Sequence, residues 1–133
     1  MDHWVSSHTI LVVDDEEPVR HICRMILEQH GMNVLTADNG ESALEIFKEN
    51  QDVVNVILLD MMMPHMSGEE ALKMLRGVND NIRVILSSGF SENDLMPGME
   101  IRPNAFIQKP FLPEELVKKV REVVESESPH GDQ

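Results

Sequence analysis

Thr9-Ile10-Leu11-Val12-Val13-Asp14-Asp15 is a short apolar run that stops on two carboxylates. Two later stretches repeat the plan. Val54-Asn55-Val56-Ile57-Leu58-Leu59 stops on Asp60, and Ala105-Phe106-Ile107-Gln108 stops on Lys109, which Pro110 follows. Apolar runs this short, bounded by polar residues and separated by helical periodicity, read as buried strands of a parallel sheet. In such sheets ligands sit at the carboxyl ends of the strands, near the point where strand order reverses. The chain therefore brings three carboxylates and one ammonium to one sheet edge. That is the composition of a divalent-cation and phosphoryl site.

Outward from these runs, a strand–helix alternation repeats five times. Residues 17–30 should form the first helix, with Pro18 in its tolerated first turn and Gly31 at its C-terminal cap. Residues 32–37 read as the second strand, and 41–49 as a helix with Ala43, Leu44 and Phe47 inward. After the third strand, Ser67 and Glu70 have the spacing of a capping box that opens the third helix. Residues 83–86 are the fourth strand. Pro97, Gly98 and Pro103 then cut the fourth helix to one or two turns after Ser91. After the fifth strand, Leu116, Val117, Val120, Val123 and Val124 mark the last helix. The expected fold is α/β: a single doubly wound, flavodoxin-like domain over residues 9–125, a five-stranded parallel sheet with helices on both faces. Residues 1–8 read as an N-terminal leader and 126–133 as a disordered polar tail.

Composition narrows the function classes. A chain of 133 residues with 41% hydrophobic content suits one domain, burying roughly 65–70% of its unfolded surface. No apolar stretch approaches the ~20 residues of a bilayer span, and the first residues do not resemble a signal peptide. The single cysteine, Cys23, excludes an internal disulfide and fits a reducing cytoplasm; its place in the first helix suggests a packed thiol. Eleven basic against twenty-four acidic residues give a net charge of −13. Such a surface repels phosphate backbones, so direct nucleic-acid binding is not expected.

Asp14-Asp15, Asp60-x-x-Met63-Pro64-x-Met66-x-Gly68, Ser87-Ser88-Gly89 and Lys109-Pro110, in that order and each at a strand end, resemble the response-regulator receiver domain of two-component signalling. The resemblance covers residues 9–124. Leu86-Ser87-Ser88-Gly89-Phe90-Ser91-Glu92, with the short fourth helix, looks most like the receivers attached to hybrid sensor histidine kinases. The chemistry can also be read from the residues. A carboxylate and a phosphoryl dianion repel each other, and Mg²⁺ (or Mn²⁺) held by hard oxygens removes that repulsion. Asp15 and Asp60 are the natural direct ligands. Crowded together without a cation, the carboxylates should raise one another's pKa values.

The resemblance adds the backbone carbonyl of Met62 as a ligand and a water-mediated role for Asp14. It implies that Asp60 is the phosphoacceptor, with Lys109 and Ser87 on the phosphoryl oxygens and a cis Lys109–Pro110 bond aiming the ammonium. It implies a switch running from Ser87 to Phe106. The partners it implies are a sensor histidine kinase or phosphotransfer domain, and other domains of a hybrid kinase. The chain would then be a cytoplasmic signalling domain, not an enzyme, that promotes its own phosphorylation and slow dephosphorylation.

Several rival readings share parts of the pattern. An FMN-binding flavodoxin would need a hydroxyl- and glycine-rich first loop, where this chain has Asp14-Asp15-Glu16-Glu17. A haloacid-dehalogenase-type phosphohydrolase would need a second aspartate where Met62 stands. A receiver-like docking module acting without phosphorylation is the remaining alternative, and the complete Asp15, Asp60 and Lys109 set argues against it. Met61, Met62, Met63 and Met66 read as packing and loop residues, since no His or Cys is spaced to complete a copper site. His3, His8, His21, His30, His65 and His130 show no ligand spacing, and His65 reads as a solvated loop residue.

Overall fold

The computed structural model describes residues 8–125. The expected tail, and the expected leader apart from His8, lie outside the described residues. The elements run β1 (Thr9–Val13), α1 (Glu17–Gln29), β2 (Asn33–Ala37), α2 (Gly40–Glu49), β3 (Val54–Asp60), α3 (Gly68–Val78), β4 (Arg83–Ser88), α4 (Glu92–Leu95), β5 (Ala105–Gln108) and α5 (Pro113–Glu125). The sheet is wholly parallel, in the order β2-β1-β3-β4-β5. Strand order reverses at β1, so the crevice opens beyond the carboxyl ends of β1 and β3, where Asp14, Asp15 and Asp60 stand.

Side-chain alternation along the strands splits the core in two. Ile10 and Val12 of β1, Val56 and Leu58 of β3, Ile85 of β4 and Ile107 of β5 pack with Cys23, Ile26 and Leu27 of α1 and Leu116, Val120 and Val123 of α5. The intervening residues, Leu11, Val13, Ile57, Leu59, Val84 and Leu86, pack with Ala43 and Phe47 of α2 and Ala71, Leu72 and Leu75 of α3. Both sheet faces are covered, which is why the strands read as continuous apolar runs instead of alternating ones. Carried to the strand ends, the period of two places Asp14, Asp60, Ser87 and Lys109 on the α1/α5 face. Phe106 falls on the other.

Local signals end the helices where the sequence marks them. Gly31 takes φ 85°, and its N–H reaches Glu28 O while that of Met32 reaches Leu27 O. These two bonds close a Schellman motif, which needs a left-handed residue at that point. The Ser67–Glu70 capping box is complete. After α4 comes one turn of 3₁₀ helix, Met96–Gly98, so the truncation at Pro97 is as expected. Boundaries differ from expectation mainly at strand ends. β3 includes Asp60, and β4 runs on through Ser87 and Ser88 because they continue the ladder opposite Ile107 and Gln108. α1 closes at Gln29, β2 opens at Asn33 and α2 opens at Gly40. Leu44 is only partly buried, whereas Ala43 and Phe47 are fully inside.

Helix α3 is tied at both ends. At its start the Gly68 N–H donates to Met61 O at 2.8 Å. A Cβ on Gly68 would stand 2.6 Å from Met61 Cα and 2.7 Å from Asp60 O. At its end the buried Arg76 guanidinium donates to Ile82 O, Arg102 O and Asn104 Oδ1. Burial lowers the pKa of this guanidinium, with the charge of Asp80 opposing. Gly68→Ala should therefore cost about 1–3 kcal/mol, because backbone has to move to admit the methyl group. Urea unfolding of the two proteins measures this, and the same substitution at the open Gly77 position provides the control.

Candidate functional site

Asp14, Asp15, Asp60, Ser87 and Lys109 each stand at, or within two residues of, a strand end, so the sheet sets their positions. Asp14 directly follows β1 and is 3% exposed; Asp60 ends β3 and is 4% exposed. Asp15, one residue on from Asp14, is exposed. The three carboxylates offer oxygens within 4.8 Å of one another. Lys109 follows β5, with its N–H on Ser88 O, and the Lys109–Pro110 bond is cis. Its Nζ lies 2.8 Å from Asp14 Oδ2 and 3.3 Å from Asp60 Oδ1.

Asp14 is held on every side. Its N–H donates to Ala37 O, and its Oδ1 accepts the Glu16 N–H at 3.0 Å. Asp60 Oδ1 also accepts the Met62 N–H at 3.3 Å. Ser87 pairs with Asp60 across the β3–β4 ladder and is 2% exposed. Around the rim stand Met62, 61% exposed, and Phe90, 54% exposed. Pro64, His65 and Met66 form a tight turn, with Met66 N–H on Pro64 O and His65 at φ 71°. Histidine is among the residues that tolerate this region.

Electrostatics follow from burial and crowding. Loss of solvent and the nearby Asp14 charge push Asp60 from 3.8 up to about 6, against the opposing pull of Lys109 and of the Met62 N–H. Burial alone would lower the Lys109 pKa, but its hydrogen bond and charge pairing with Asp14, then the Asp60 charge, outweigh it and raise the net value. Burial and the Asp14 charge push the Cys23 thiol up to about 11, so it is a packed and unreactive thiol, as expected.

An all-oxygen donor set that leaves room for water fits Mg²⁺ better than a soft transition metal. Asp14, Asp15, Asp60, Ser87 and Lys109 are thus gathered at one edge. Met62 lies beside them with its backbone N–H on Asp60. Phe106 stands on the opposite face, opposite Leu86 in the ladder and packed with the α2/α3 core. Met63 is buried, and His65 is exposed on its loop. His21 and His30 lie outside the cluster, while His3 and His130 are outside the described residues.

The sequence motifs match a known family model. The model for the response regulator receiver domain matches residues 10–121. This chain belongs to the receiver domain family. Among curated relatives, it is 35% identical over 115 residues to the transcriptional regulatory protein CpxR of Escherichia coli K12, covering 86% of this chain and 48% of CpxR. The chain spans about half the length of the curated relatives it matches. Among solved structures, a receiver domain from Clostridium thermocellum superposes with a TM-score of 0.80 at 27% identity, covering 88% of this chain and 94% of that one. The receiver domain of the hybrid histidine kinase CckA gives 0.72 at 32% identity, covering 86% and 96%. Among the described residues, no helix is long and apolar enough to cross a membrane.

Two contributors carried no role in the sequence reading. Gly68 was visible as a motif residue, but its function as the close-packing point beneath Asp60 needs coordinates. Arg20 donates from α1 to the Asp14 carbonyl at 2.8 Å, a contact that no spacing rule announces.

The raised Asp60 pKa has a definite sign in stability. The folded state holds this proton more tightly than the unfolded chain, so the contribution is complete below pH 4. It is lost as pH rises through about 6. In metal-free protein, Asp60→Asn should gain stability over wild type as pH climbs from 4 to 6.5, by about 2 kcal/mol, and then level off. Urea midpoints in EDTA across that range measure it; a flat difference would show that Asp60 titrates like an exposed carboxylate.

Proposed function

We propose that this receiver domain takes a phosphoryl group onto Asp60 from the phosphohistidine of a sensor kinase or phosphotransfer domain, with Mg²⁺ as cofactor and Mn²⁺ as substitute. The observation that carries this reading is the convergence of three carboxylates and the Lys109 ammonium at the crevice of the sheet. Asp15, Asp60 and the Met62 carbonyl would hold the cation, with Asp14 acting through water. Bound there, it would neutralise the charge that opposes attack on the phosphoryl dianion.

An Asp60 oxygen forms the new bond to phosphorus while the phosphorus–nitrogen bond of the donor breaks. The electron pair returns to the imidazole nitrogen, which takes up a proton. Lys109 leaves its carboxylate partners for the phosphoryl oxygens, as a point charge. The Ser87 hydroxyl donates to another oxygen. The domain is a cytoplasmic signalling module, promoting its own phosphorylation and slow dephosphorylation instead of turning over a separate substrate. Other domains of a hybrid kinase are further partners.

Phosphorylation then biases a two-state surface on the β4–α5 side through Ser87 and Phe106. Phe106 is only partly buried and lines open grooves with Gln108, Lys118 and Glu122 of the β5–α5 side. It therefore has space to move without displacing core residues. Phe106 and Gln108 share one face of β5, while Ile107 between them packs into the α1/α5 core on the face that carries Lys109.

Acetyl phosphate with Mg²⁺ should label wild type and leave Asp60→Asn unlabelled, and EDTA should abolish labelling of wild type. NMR of the labelled sample should show the Phe106 ring resonances moving. Substantial metal-dependent labelling of Asp60→Asn would overturn the assignment. An unmoved Phe106 would overturn the switch alone.

The aspartyl phosphate should also be long-lived. Hydrolysis requires a water held in line with the bond to phosphorus, and such positioning is a large part of catalysis. Met62 and Gly89, each two residues beyond a site residue, offer no side-chain group to hold it. Both are exposed, and a Cβ on Gly89 would meet nothing within 4 Å. Met62→Asn combined with Gly89→Glu should accordingly shorten the half-life by about tenfold or more, since a placed acid–base group contributes on the order of 10²-fold in favourable cases. Decay of labelled protein after donor removal is the measurement, and equal decay rates would refute the idea.

A further inference from the structure

Asp14 is fixed at four points, and three of them belong to the sheet or to the acidic turn itself. Its N–H donates to Ala37 O, its Oδ1 accepts from Glu16 N–H and its Oδ2 accepts from Lys109. The fourth comes from outside: Arg20 Nη1, one turn into α1, donates to the Asp14 carbonyl at 2.8 Å. That carbonyl belongs to the peptide unit joining Asp14 to Asp15. A peptide unit is planar, so an anchored oxygen also fixes where the Asp15 Cα lies. Asp15 itself is exposed, whereas Arg20 is half-buried and its N–H closes the first turn on Glu16 O. The guanidinium thus braces the acidic turn from the helix that follows it.

We infer that Arg20 is a positioning residue for cation binding: its hydrogen bond to the Asp14 carbonyl holds Asp15 where its carboxylate reaches the site. This rests on the reading of Asp14, Asp15 and Asp60 as the cation site. The sign of the effect runs against simple electrostatics. By Coulomb's law alone, a guanidinium beside a cation site repels the cation, and its removal should tighten binding. Positioning predicts the reverse, because a carboxylate that must be ordered at the moment of binding binds less well. Hydrogen-bond partners standing behind metal ligands matter for affinity in this way.

The two effects separate with a pair of neutral side chains of similar length. Arg20→Gln removes the charge but keeps an N–H donor, whereas Arg20→Met removes both; each is a good helix former. Mg²⁺ titration of the metal-free proteins by calorimetry should place Arg20→Gln within about threefold of wild type and Arg20→Met about tenfold weaker. The amide resonances of Asp14, Asp15 and Glu16, read before any metal is added, should shift in Arg20→Met and stay near wild type in Arg20→Gln. Equal Mg²⁺ affinity of the two variants, or tighter binding than wild type in both, would overturn the positioning role. Should Arg20→Met fail to fold, Arg20→Ala, which likewise removes both charge and donor, takes its place in both measurements, and the same outcomes decide. A wild-type protein that binds no Mg²⁺ at all would overturn the cation site and the role of Arg20 together.

Discussion

Two carboxylates share one ammonium at the heart of this domain, and the rest of the sheet edge is arranged around that contact. Asp14 and Asp60 are almost fully withdrawn from water, and like charges in such a place are costly unless a cation compensates them. Lys109 supplies it, bridging both from the end of β5. The compensation is incomplete, as the raised Asp60 pKa shows. The site therefore stands with unmet demand for positive charge, which is the physical basis for reading it as a cation and phosphoryl site. The lysine meets only part of that demand, bridging the two carboxylates from the end of β5.

Strand alternation supplies the geometry without further specification. In β1 and β3 the same parity that sends Val12 and Leu58 into the α1/α5 core sends Asp14 and Asp60 to the same side one step later. Ile107 and Lys109 follow the same rule. A slip of one residue in any of these strands would turn a charged group into the α2/α3 core, so the hydrophobic pattern that fixes register also fixes the site. Gly68 enforces the remaining closeness, since α3 abuts the Asp60 carbonyl with no room for a side chain.

Most of this was legible in the sequence, for specific reasons. The strand cores, the capping box at Ser67, the stop at Gly31 and the shortened α4 all come from local chemistry that reads one residue at a time. The family motifs then named the residues that meet. What escaped was non-local. Burial of Ser87 and Ser88 within β4 depends on pairing with β5, which composition does not display. The different fates of Asp14 and Asp15, one buried on Lys109 and the other exposed, cannot be told from two identical neighbours. The Arg76 bonds to Ile82, Arg102 and Asn104 join residues up to 28 positions apart, and a basic residue on an amphipathic helix would ordinarily read as solvated.

The span between Asp14 and Lys109 is 95 residues, and that distance orders events during synthesis. A ribosome that has delivered β1, α1, β2, α2 and β3 has already made both carboxylates but not the ammonium that balances them. At that stage the central strands can pair, yet their polar ends cannot be closed off from water without leaving two like charges uncompensated. Until Lys109 is present, closing that crevice requires the carboxylates to take up a proton or another cation. Closure of the charge-compensated crevice therefore waits on β5, the last strand of the sheet in chain order.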